Sequence, residues 1–548
     1  MAGNAPARRD GRSPPAAGAA LAAAEEAGAA PPASPGRQGR VVANSSTSMA
    51  AQILAMAIGL WFTPFLVHRL GVEVYGIIPL TLLVVSYFSL VTNAVNVFVG
   101  RDFSTASATN DRAGTGRIYS TAFALNFAMG GILMALGFGL APLAPYVFRV
   151  PAGWESQAQW LFAATAVGFF LTCLATASSS VLFGHNRLDL RAGISVVSNL
   201  VRVGTVVWAF WWWGPSLHWM SVAVVAAALA ALVGYAKLAR RLERDLTFRW
   251  KSVSAALAKS YFREGGWVLV NHLGTIFYLK IDLLVVNGFL GAAASGRYAL
   301  ALQWSNVLRT LSDTITVSFA PTIMMRAGLG DRDGMADFAR QAIRLTGVFL
   351  ALVIGGLCGF ARPLLAAWLG QEYVDLAPLL VVLTAHLAVN IAVSPLFAVQ
   401  VAVGKVKVPG LVTFGMGLLN LLLALAAAGP LRWGAMGVAG AGAVVLLAKN
   451  ALFTPVYAAA ISGQKWHVFL RDVLRVVGAT AGVGAVALAV GRYLDPAGWL
   501  PLIGCGVLTA LLCMPWLWWL YFTSEDRGLA RAWVRRFVAR RPDSGGAQ

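Results

Sequence analysis

Long apolar stretches recur along almost the whole of this 548-residue chain. A hydrocarbon layer about 30 Å thick is crossed by a helix of roughly 20 apolar residues, and many of these stretches reach that length. Hydrophobic residues make up 58% of the chain and charged residues 12%, whereas soluble domains carry about 25% charged residues. The sequence therefore predicts an integral membrane protein and excludes most classes of soluble enzyme.

Fourteen apolar spans can be placed along the chain. Only helices or closed barrels satisfy every backbone hydrogen bond in lipid, and barrel strands would alternate in polarity over about 10 residues. Because these runs are continuous, we expect an all-α membrane protein with about fourteen transmembrane helices. The predicted spans are 44–67, 75–99, 118–143, 158–182, 192–213, 218–236, 266–289, 298–320, 345–361, 376–400, 408–429, 434–457, 476–491 and 498–521.

A net charge of +20 raises the question of a nucleic-acid partner. Lys and Arg cluster in the short segments between apolar runs, however, where they would face cytoplasm and anionic lipid headgroups. We therefore expect membrane lipids and no nucleic acid as partners. Placing both termini in the cytoplasm leaves six of the 43 Lys and Arg outside, namely Arg69, Arg149, Arg297, Arg362, Arg432 and Arg492. This asymmetry predicts a multi-pass protein of the bacterial cytoplasmic membrane with both ends inside.

A weak internal repeat divides the chain into two lobes. Leu70-Gly71 recurs as Leu290-Gly291, and Gly184 recurs as Gly404 at the same offset. Six spans followed by six more predict two lobes of equal orientation, related by a parallel pseudo-two-fold axis along the membrane normal. The predicted segments are a disordered cytoplasmic tail at 1–40, an N-lobe at 41–236, a basic linker at 237–265, a C-lobe at 266–457, spans 13 and 14 at 458–522, and a basic cytoplasmic tail at 523–548.

Ionisable side chains within lipid-depth helices are costly and mark transport pathways by default. Six of them fall inside the spans: Arg202, Lys280, Asp282, Arg309, Asp313 and Lys449. Polar residues also recur at helical spacing on spans 2, 5, 8 and 10, for example Ser89, Asn93 and Asn96 on span 2. Lys280 and Asp282 are about 200° apart around their helix, so the two cannot line the same surface.

These stripes predict a water-filled, net cationic cavity between the lobes, suited to a phosphate or diphosphate. The substrate-binding candidates are Arg202, Arg309, Lys449, Lys280, Asn199, Asn306 and Asn390, and the ion-coupling candidates are Asp282, Asp313, His272 and His386. Local explanations stay open: Arg309 and Asp313 have the spacing of an ion pair within one helix, and each histidine can be a hydrogen-bonded packing residue. We expect no metal and no cofactor, since the four cysteines lack metal-binding spacing.

Three motifs resemble the polysaccharide transporter family, the Wzx-type oligosaccharide-lipid flippases, within the multidrug/oligosaccharidyl-lipid/polysaccharide exporter superfamily. The first runs from Pro64 to Gly76 as PFLVHRLGVEVYG, the second joins Lys280-Ile281-Asp282 to Leu290-Gly291 and Gly296-Arg297-Tyr298-Ala299, and the third is WLGQEY at 368–373. The resemblance covers roughly residues 41–460.

The resemblance implies a non-enzymatic flippase that moves an undecaprenyl-diphosphate-linked oligosaccharide by alternating access. It also implies a role in O-antigen, capsule or exopolysaccharide assembly, beside a glycan polymerase and other assembly proteins. A peptidoglycan-precursor flippase and a multidrug cation antiporter stay open as alternatives. From a different class, a membrane glycan polymerase or ligase also stays open, since Asp331-Arg332-Asp333 has DxD spacing, although no nucleotide-binding domain surrounds it.

Overall fold

The computed structural model is built from α-helices. It describes the backbone of residues 35–109, 111–243, 246–521 and 527, and the side chains of these residues except 35–46, 107–108, 265, 267–272, 278, 312–318 and 520. No β-strand occurs in these ranges. The predicted tails at 1–40 and 523–548 thus lie almost entirely outside the described residues.

The first six long helices cross the molecule alternately. They are α1 (Pro35–Leu70), α2 (Ile77–Ala108), α3 (Arg112–Leu140), α4 (Glu155–Gly184), α5 (Leu188–Trp212) and α6 (Leu217–Leu242). A short helix, Val72–Tyr75, joins α1 to α2, and another, Ala144–Val147, follows α3. We call the face where α2, α4 and α6 end the basic face, and the other one the opposite face.

Eight more helices follow, and three of them are interrupted. They are α7 (Ala255–Leu279, then Ile281–Leu290), α8 (Ala292–Gly328), α9 (Arg332–Gly359), α10 (Ala377–Ala385, Leu387–Ala392 and Ser394–Ala402), α11 (Lys407–Ala428), α12 (Gly434–Leu447 and Thr454–Ser462, joined by a π-helical turn at Ala448–Phe453), α13 (Val468–Leu494) and α14 (Trp499–Tyr521). A short helix, Ala361–Trp368, precedes α10.

Twelve helices of the described chain are long and apolar enough to cross a membrane, and they correspond to predicted spans 1–6 and 9–14. Predicted spans 7 and 8 fall on α7 and α8, whose middle side chains belong to the undescribed set. Most helices extend beyond the apolar runs at their charged ends; α6, for example, continues to Leu242. The prediction of an all-helical membrane protein is confirmed, with twelve candidate spans among the described residues.

The helices pack as an N-lobe (α1–α6) and a C-lobe (α7–α12), with α13 and α14 added to the C-lobe along α9. The repeated Leu-Gly pair marks equivalent places in the two lobes: Gly71 (φ 82°) and Gly291 (φ 93°) each turn the chain into the next helix. A positive φ suits glycine because it has no Cβ.

On the opposite face the two lobes meet backbone to backbone. A Cβ on Gly76 would lie 2.9 Å from the backbone nitrogen of Gly296, and a Cβ on Gly296 would overlap the Val72 carbonyl oxygen. Beside this contact, the indole Nε1 of Trp368 donates a 2.7 Å hydrogen bond to the Leu60 carbonyl oxygen of α1. The two lobes are therefore in close contact at these points of the opposite face.

On the basic face the lobes are joined through α2 and α7. Arg101 forms a 3.1 Å ion pair with Glu264, and the Tyr261 hydroxyl donates a 3.0 Å hydrogen bond to Asp102. The segment that enters α7 is held on α3, because the Ser254 amide donates to the Thr121 hydroxyl at 3.0 Å. Side-chain ion pairs and hydrogen bonds thus connect the lobes here, whereas the backbones themselves are in contact at the opposite face.

Gly296→Ala should weaken closure of the opposite face. The added methyl group overlaps the Val72 carbonyl, and overpacking of this kind costs about 1–3 kcal/mol, which shifts a two-state balance about 5- to 150-fold. We expect faster labelling, from that face, of a cysteine placed at Asn306 on α8 by a membrane-impermeant thiol reagent. The native cysteines would be replaced beforehand.

The control is Gly288→Ala in the same bundle, since a Cβ there meets no atom within 4 Å. Equal labelling in the two variants, with both proteins inserted and monodisperse, would show that Gly296 does not contribute to closure of the opposite face.

Candidate functional site

A cavity of about 320 Å³ lies between the two lobes. α1, α2, α4, α5 and α6 line it from the N-lobe, and α7 and α8 line it from the C-lobe. Its lining residues include Phe62, Thr63, Tyr75, Thr81, Ser86, Arg202, Lys280, Gln303 and Asn306. A site that both lobes build changes its shape when the lobes move relative to each other.

Arg202 brings one positive charge into this cavity from α5. Its guanidinium Nη2 donates a 2.7 Å hydrogen bond to Oδ1 of Asn199, one helical turn earlier. The Nε atom is buried without a hydrogen-bond partner among the described residues. A guanidinium offers five N–H donors, so Asn199 orients Arg202 and leaves it donors for an anion.

Lys280 brings a second positive charge from the C-lobe. It stands at the interruption of α7, where it ends one helical piece and precedes the next. Its Nζ donates a 2.7 Å hydrogen bond to the Ser86 hydroxyl of α2, across the boundary between the lobes, and the side chain is exposed. Ser86 is a neutral partner, so the ammonium charge is not compensated by this bond.

The described lining of the cavity contains no aspartate and no glutamate. Amide side chains, Gln303 and Asn306 on α8, and hydroxyl groups, Thr63 and Thr81, complete its polar part. The lining is therefore cationic around the two charged groups. Such a lining favours an anionic group that has left bulk water, and its amides and hydroxyls suit the hydroxyl groups of a sugar.

Asp282 lies inside the C-lobe rather than in this cavity. Its carboxylate accepts hydrogen bonds from Asn420 of α11 at 3.0 Å and from the Tyr298 hydroxyl of α8 at 3.2 Å. Arg309 stands on α8 as well, about three helical turns after Tyr298. The carboxylate also occupies the first turn of the second piece of α7, where the helix dipole favours a negative charge.

A further polar cluster fills the C-lobe between α10 and α12. Asn450 Nδ2 donates to Asn390 Oδ1 at 3.0 Å, and the Asn390 amide contacts His386 Nδ1 at 2.7 Å. Lys449 Nζ contacts Asn450 Oδ1 at 3.4 Å and lies 5.1 Å from the ring centre of Phe397. Lys449 and Asn450 stand in the π-helical turn of α12, opposite the interruptions of α10.

The structure thus separates the sequence candidates into groups. Arg202, Lys280 and Asn306 line the cavity, and Asn199 is bonded to Arg202. Asp282 lies inside the C-lobe, and His386, Asn390 and Lys449 form a separate group there. Arg309 stands on α8 of the C-lobe. The side chains of His272 and Asp313 lie outside the described residues.

Several site residues were missed by sequence reasoning. Ser86 lies three residues before Ser89 on the polar stripe of α2, so that stripe contained a signal for it. Gln303 stands one turn before Asn306 and offered a similar signal. Tyr298 and Asn420, which hold Asp282, gave no signal because helical spacing does not reveal partners on other helices.

The DxD sequence has structural roles. Asp331 caps the N-terminus of α9 by accepting a 2.9 Å hydrogen bond from the Gly334 amide. Asp333 accepts a 2.7 Å hydrogen bond from Gln464. Both carboxylates are therefore engaged in fixing the basic-face end of α9.

A crevice of about 410 Å³ lies between α1 and α8, two of the helices that line the cavity, and it is closer to the basic face. Its walls are mostly apolar and come from α1, α8 and α9: Met49, Gln52, Ile53, Met56, Leu311, Phe319, Leu345, Thr346 and Phe349. The crevice is lined by the stretch of α1 that precedes the stretch lining the cavity, so the two spaces are neighbours along this helix. The lobes therefore leave apolar space at α1 and α8, whereas the Arg101–Glu264 ion pair joins them at α2 and α7.

Comparison with known proteins finds a matching family and a curated relative. The profile of a family described as "Polysaccharide biosynthesis protein" matches residues 41–325. "Uncharacterized membrane protein EpsK" of Bacillus subtilis (strain 168) is 34% identical over 494 residues, which cover 90% of this chain and 97% of that protein.

Solved structures of two kinds share the fold. A structure described as "Lipid II flippase MurJ, inward closed conformation" matches with a TM-score of 0.64 and 14% identity, over 86% of this chain and 98% of its own. An inward-facing multidrug resistance MATE family transporter of the MOP superfamily matches with a TM-score of 0.59 and 15% identity, over 79% of this chain and 98% of its own. At these identities the likeness establishes the fold alone.

Asn390→Ala should destabilise the protein, whereas Asn199→Ala should have a much smaller effect. Asn390 is buried, and its loss leaves the Asn450 amide without this acceptor, which costs about 1–3 kcal/mol. Asn199 is half-buried, and water can replace its bond to Arg202, which lines the cavity. Thermal unfolding midpoints of the purified variants measure the difference. Equal destabilisation would contradict the separation of the two clusters.

Proposed function

The chain belongs to the polysaccharide biosynthesis protein family, and we propose that it is a flippase for undecaprenyl-diphosphate-linked oligosaccharide. The family assignment agrees with the resemblance of its motifs to polysaccharide transporters. The proposed process is surface polysaccharide assembly, for O-antigen, capsule or exopolysaccharide. The proposed location is the bacterial cytoplasmic membrane with both termini in the cytoplasm, so that the basic face is the cytoplasmic one.

The observation that carries the proposal is the cationic cavity between the lobes. Arg202 and Lys280 approach it from opposite lobes, and no carboxylate occurs in its described lining. A diphosphate loses much of its hydration when it enters the membrane, and guanidinium and ammonium donors replace that hydration. Gln303 and Asn306 supply donors and acceptors for the adjoining sugar.

The apolar crevice between α1 and α8 supports a lateral route for the lipid part of the substrate. An isoprenoid chain stays in hydrocarbon while its head group enters the cavity, because exposing the chain to water costs about 0.8 kcal/mol per CH₂ group. The crevice opens near the basic face and leads along α1 and α8 toward the cavity. Closure of the opposite face fits a state that loads substrate from the cytoplasmic leaflet.

Asp282 is the best-placed candidate for ion coupling. It is the acidic residue held by Asn420 and Tyr298 in the C-lobe, and it stands two residues after Lys280. Binding of a proton or cation at Asp282 would change these hydrogen bonds and thereby the start of the second piece of α7. His386, Asp313 and His272 are less directly linked to the cavity and are kept as secondary candidates.

A peptidoglycan-precursor flippase is the second candidate function, since its substrate carries the same diphosphate group and the fold is shared with a structure named as a lipid II flippase. A multidrug cation antiporter is disfavoured by the cationic lining, because a cavity for cations needs acidic or aromatic groups. A polymerase or ligase is disfavoured by the structural roles of Asp331 and Asp333.

Arg202→Gln and Lys280→Gln should each weaken substrate binding and transport. Hydrogen bonds to charged groups contribute about 1.5–3 kcal/mol, so we expect affinity for undecaprenyl diphosphate to fall about 10- to 100-fold. Native mass spectrometry of the purified protein measures the affinity. In cells, the lipid-linked repeat unit should accumulate on the cytoplasmic side and surface polysaccharide should decrease.

Arg191→Gln is the matched control, because Arg191 is exposed on the same helix as Arg202 and lies outside the cavity lining. Unchanged affinity in the Arg202 and Lys280 variants would overturn the diphosphate site. Formation of new glycosidic bonds by the purified protein would instead favour the polymerase or ligase.

Asp282→Asn should uncouple transport from the ion gradient while weakening binding of undecaprenyl diphosphate much less than Arg202→Gln or Lys280→Gln does. The amide keeps the size of the side chain but removes its charge, and Asp282 does not line the cavity. Flipping by protein in liposomes, with and without a proton or sodium gradient, is the measurement. A variant that responds to the gradient as the parent protein does would exclude Asp282 from coupling.

A further inference from the structure

Three arginines converge on one aspartate where α13 packs against α9. Asp472 is fully buried (0% exposed). Arg340 Nε donates to its Oδ2 at 2.9 Å, Arg475 Nη1 donates to its Oδ1 at 3.3 Å, and Arg344 Nη1 lies 3.8 Å from Oδ2. A single buried carboxylate therefore faces three guanidinium groups.

Arg340 and Arg475 are the accessible members of this cluster. Asp337 also lies near Arg340, at 3.6 Å, but its side chain is 74% exposed, so solvent screens the pair. The side chains of Arg340 and Arg475 remain 31% and 33% exposed beside the buried carboxylate. Because each guanidinium has five N–H donors, Asp472 cannot satisfy the donor capacity of this cluster, and two of its arginines remain accessible.

The depth of the cluster corresponds to the lipid headgroup region. Arg344 and Arg475 come directly before the apolar runs at 345–361 and 476–491. Trp466, in the turn before α13, and Trp519, near the end of α14, are 63% and 73% exposed at the same face. Exposed tryptophans of this kind mark the membrane–water interface.

We infer that Arg340 and Arg475 bind the phosphate group of an anionic phospholipid, which fastens α13 to α9. Guanidinium groups bind phosphate oxygens in bidentate fashion, and basic pockets between transmembrane helices on the cytoplasmic side accept anionic headgroups. The exposed arginine edges and the interfacial depth meet at this one site. The inference does not depend on the substrate that the protein transports.

Full-length protein reconstituted in zwitterionic and in anionic, phosphatidylglycerol-containing nanodiscs provides the test. We expect phosphatidylglycerol to raise the thermal unfolding midpoint of the parent protein and to remain bound in native mass spectrometry. A charge near the surface contributes about 1 kcal/mol to anionic-lipid binding, so Arg475→Gln should weaken phosphatidylglycerol retention about fivefold. Arg340→Gln combined with Arg475→Gln should remove most of the rise in midpoint.

Arg471→Gln is the matched control, since Arg471 is exposed one turn before Arg475 on the same helix and its loss changes the net charge equally. Equal retention of phosphatidylglycerol by the Arg471 and Arg475 variants would overturn the site, and this comparison holds even where the double variant does not fold. Inorganic phosphate added to zwitterionic nanodiscs distinguishes a free anion from a lipid. If it reproduces the whole rise in midpoint, the lipid assignment is wrong.

Discussion

A positive charge within a membrane is tolerated only where water, a counter-ion or a ligand reaches it. Arg202 and Lys280 have amide and hydroxyl partners and no described acidic neighbour in the cavity lining, so the space between the lobes must stay open to polar contents. Contacts between the lobes at the two faces leave this space between them. The lobes touch closely at Gly76 and Gly296 on one face, are joined by side-chain pairs on the other, and separate between α1 and α8.

Buried polar groups are fully paired in the structural cluster of the C-lobe but not at the cavity. In the C-lobe, Asn390 and Asn450 satisfy each other inside the protein, at the places where α10 and α12 depart from regular helix. Such a network specifies how two irregular helices pack. Arg202, in contrast, retains a buried Nε without a described partner. An incompletely satisfied cation at a cavity wall indicates a place that a ligand completes.

Helix positions were largely predictable from the sequence, because hydrocarbon thickness and backbone hydrogen bonding permit few alternatives. The faces of single helices were predictable too: the spacing that separated Lys280 from Asp282 agrees with their placement in the cavity and in the C-lobe. The sequence did not predict which side chains on different helices contact each other. The polar stripe of span 8, for example, divides in the structure, with Ser305 bonded to the Leu383 carbonyl of α10 and Asn306 lining the cavity. Neither the interruption of α7 at Lys280 nor the π-helical turn at Lys449 leaves a recognisable residue pattern.

The interruption of α7 links the cavity to the interior of the C-lobe. Lys280 is the non-helical residue between the two helical pieces, and its side chain reaches Ser86 of the other lobe. Asp282 lies in the first turn that follows and is held by Tyr298 and Asn420. The two side chains point to different environments from nearly the same height on the helix. If the cavity binds an anion as proposed, a displacement of Lys280 toward it would turn the start of the second piece of α7 and change the distances from Asp282 to its partners. This one turn would then couple the occupancy of the cavity to the hydrogen bonding of the buried carboxylate.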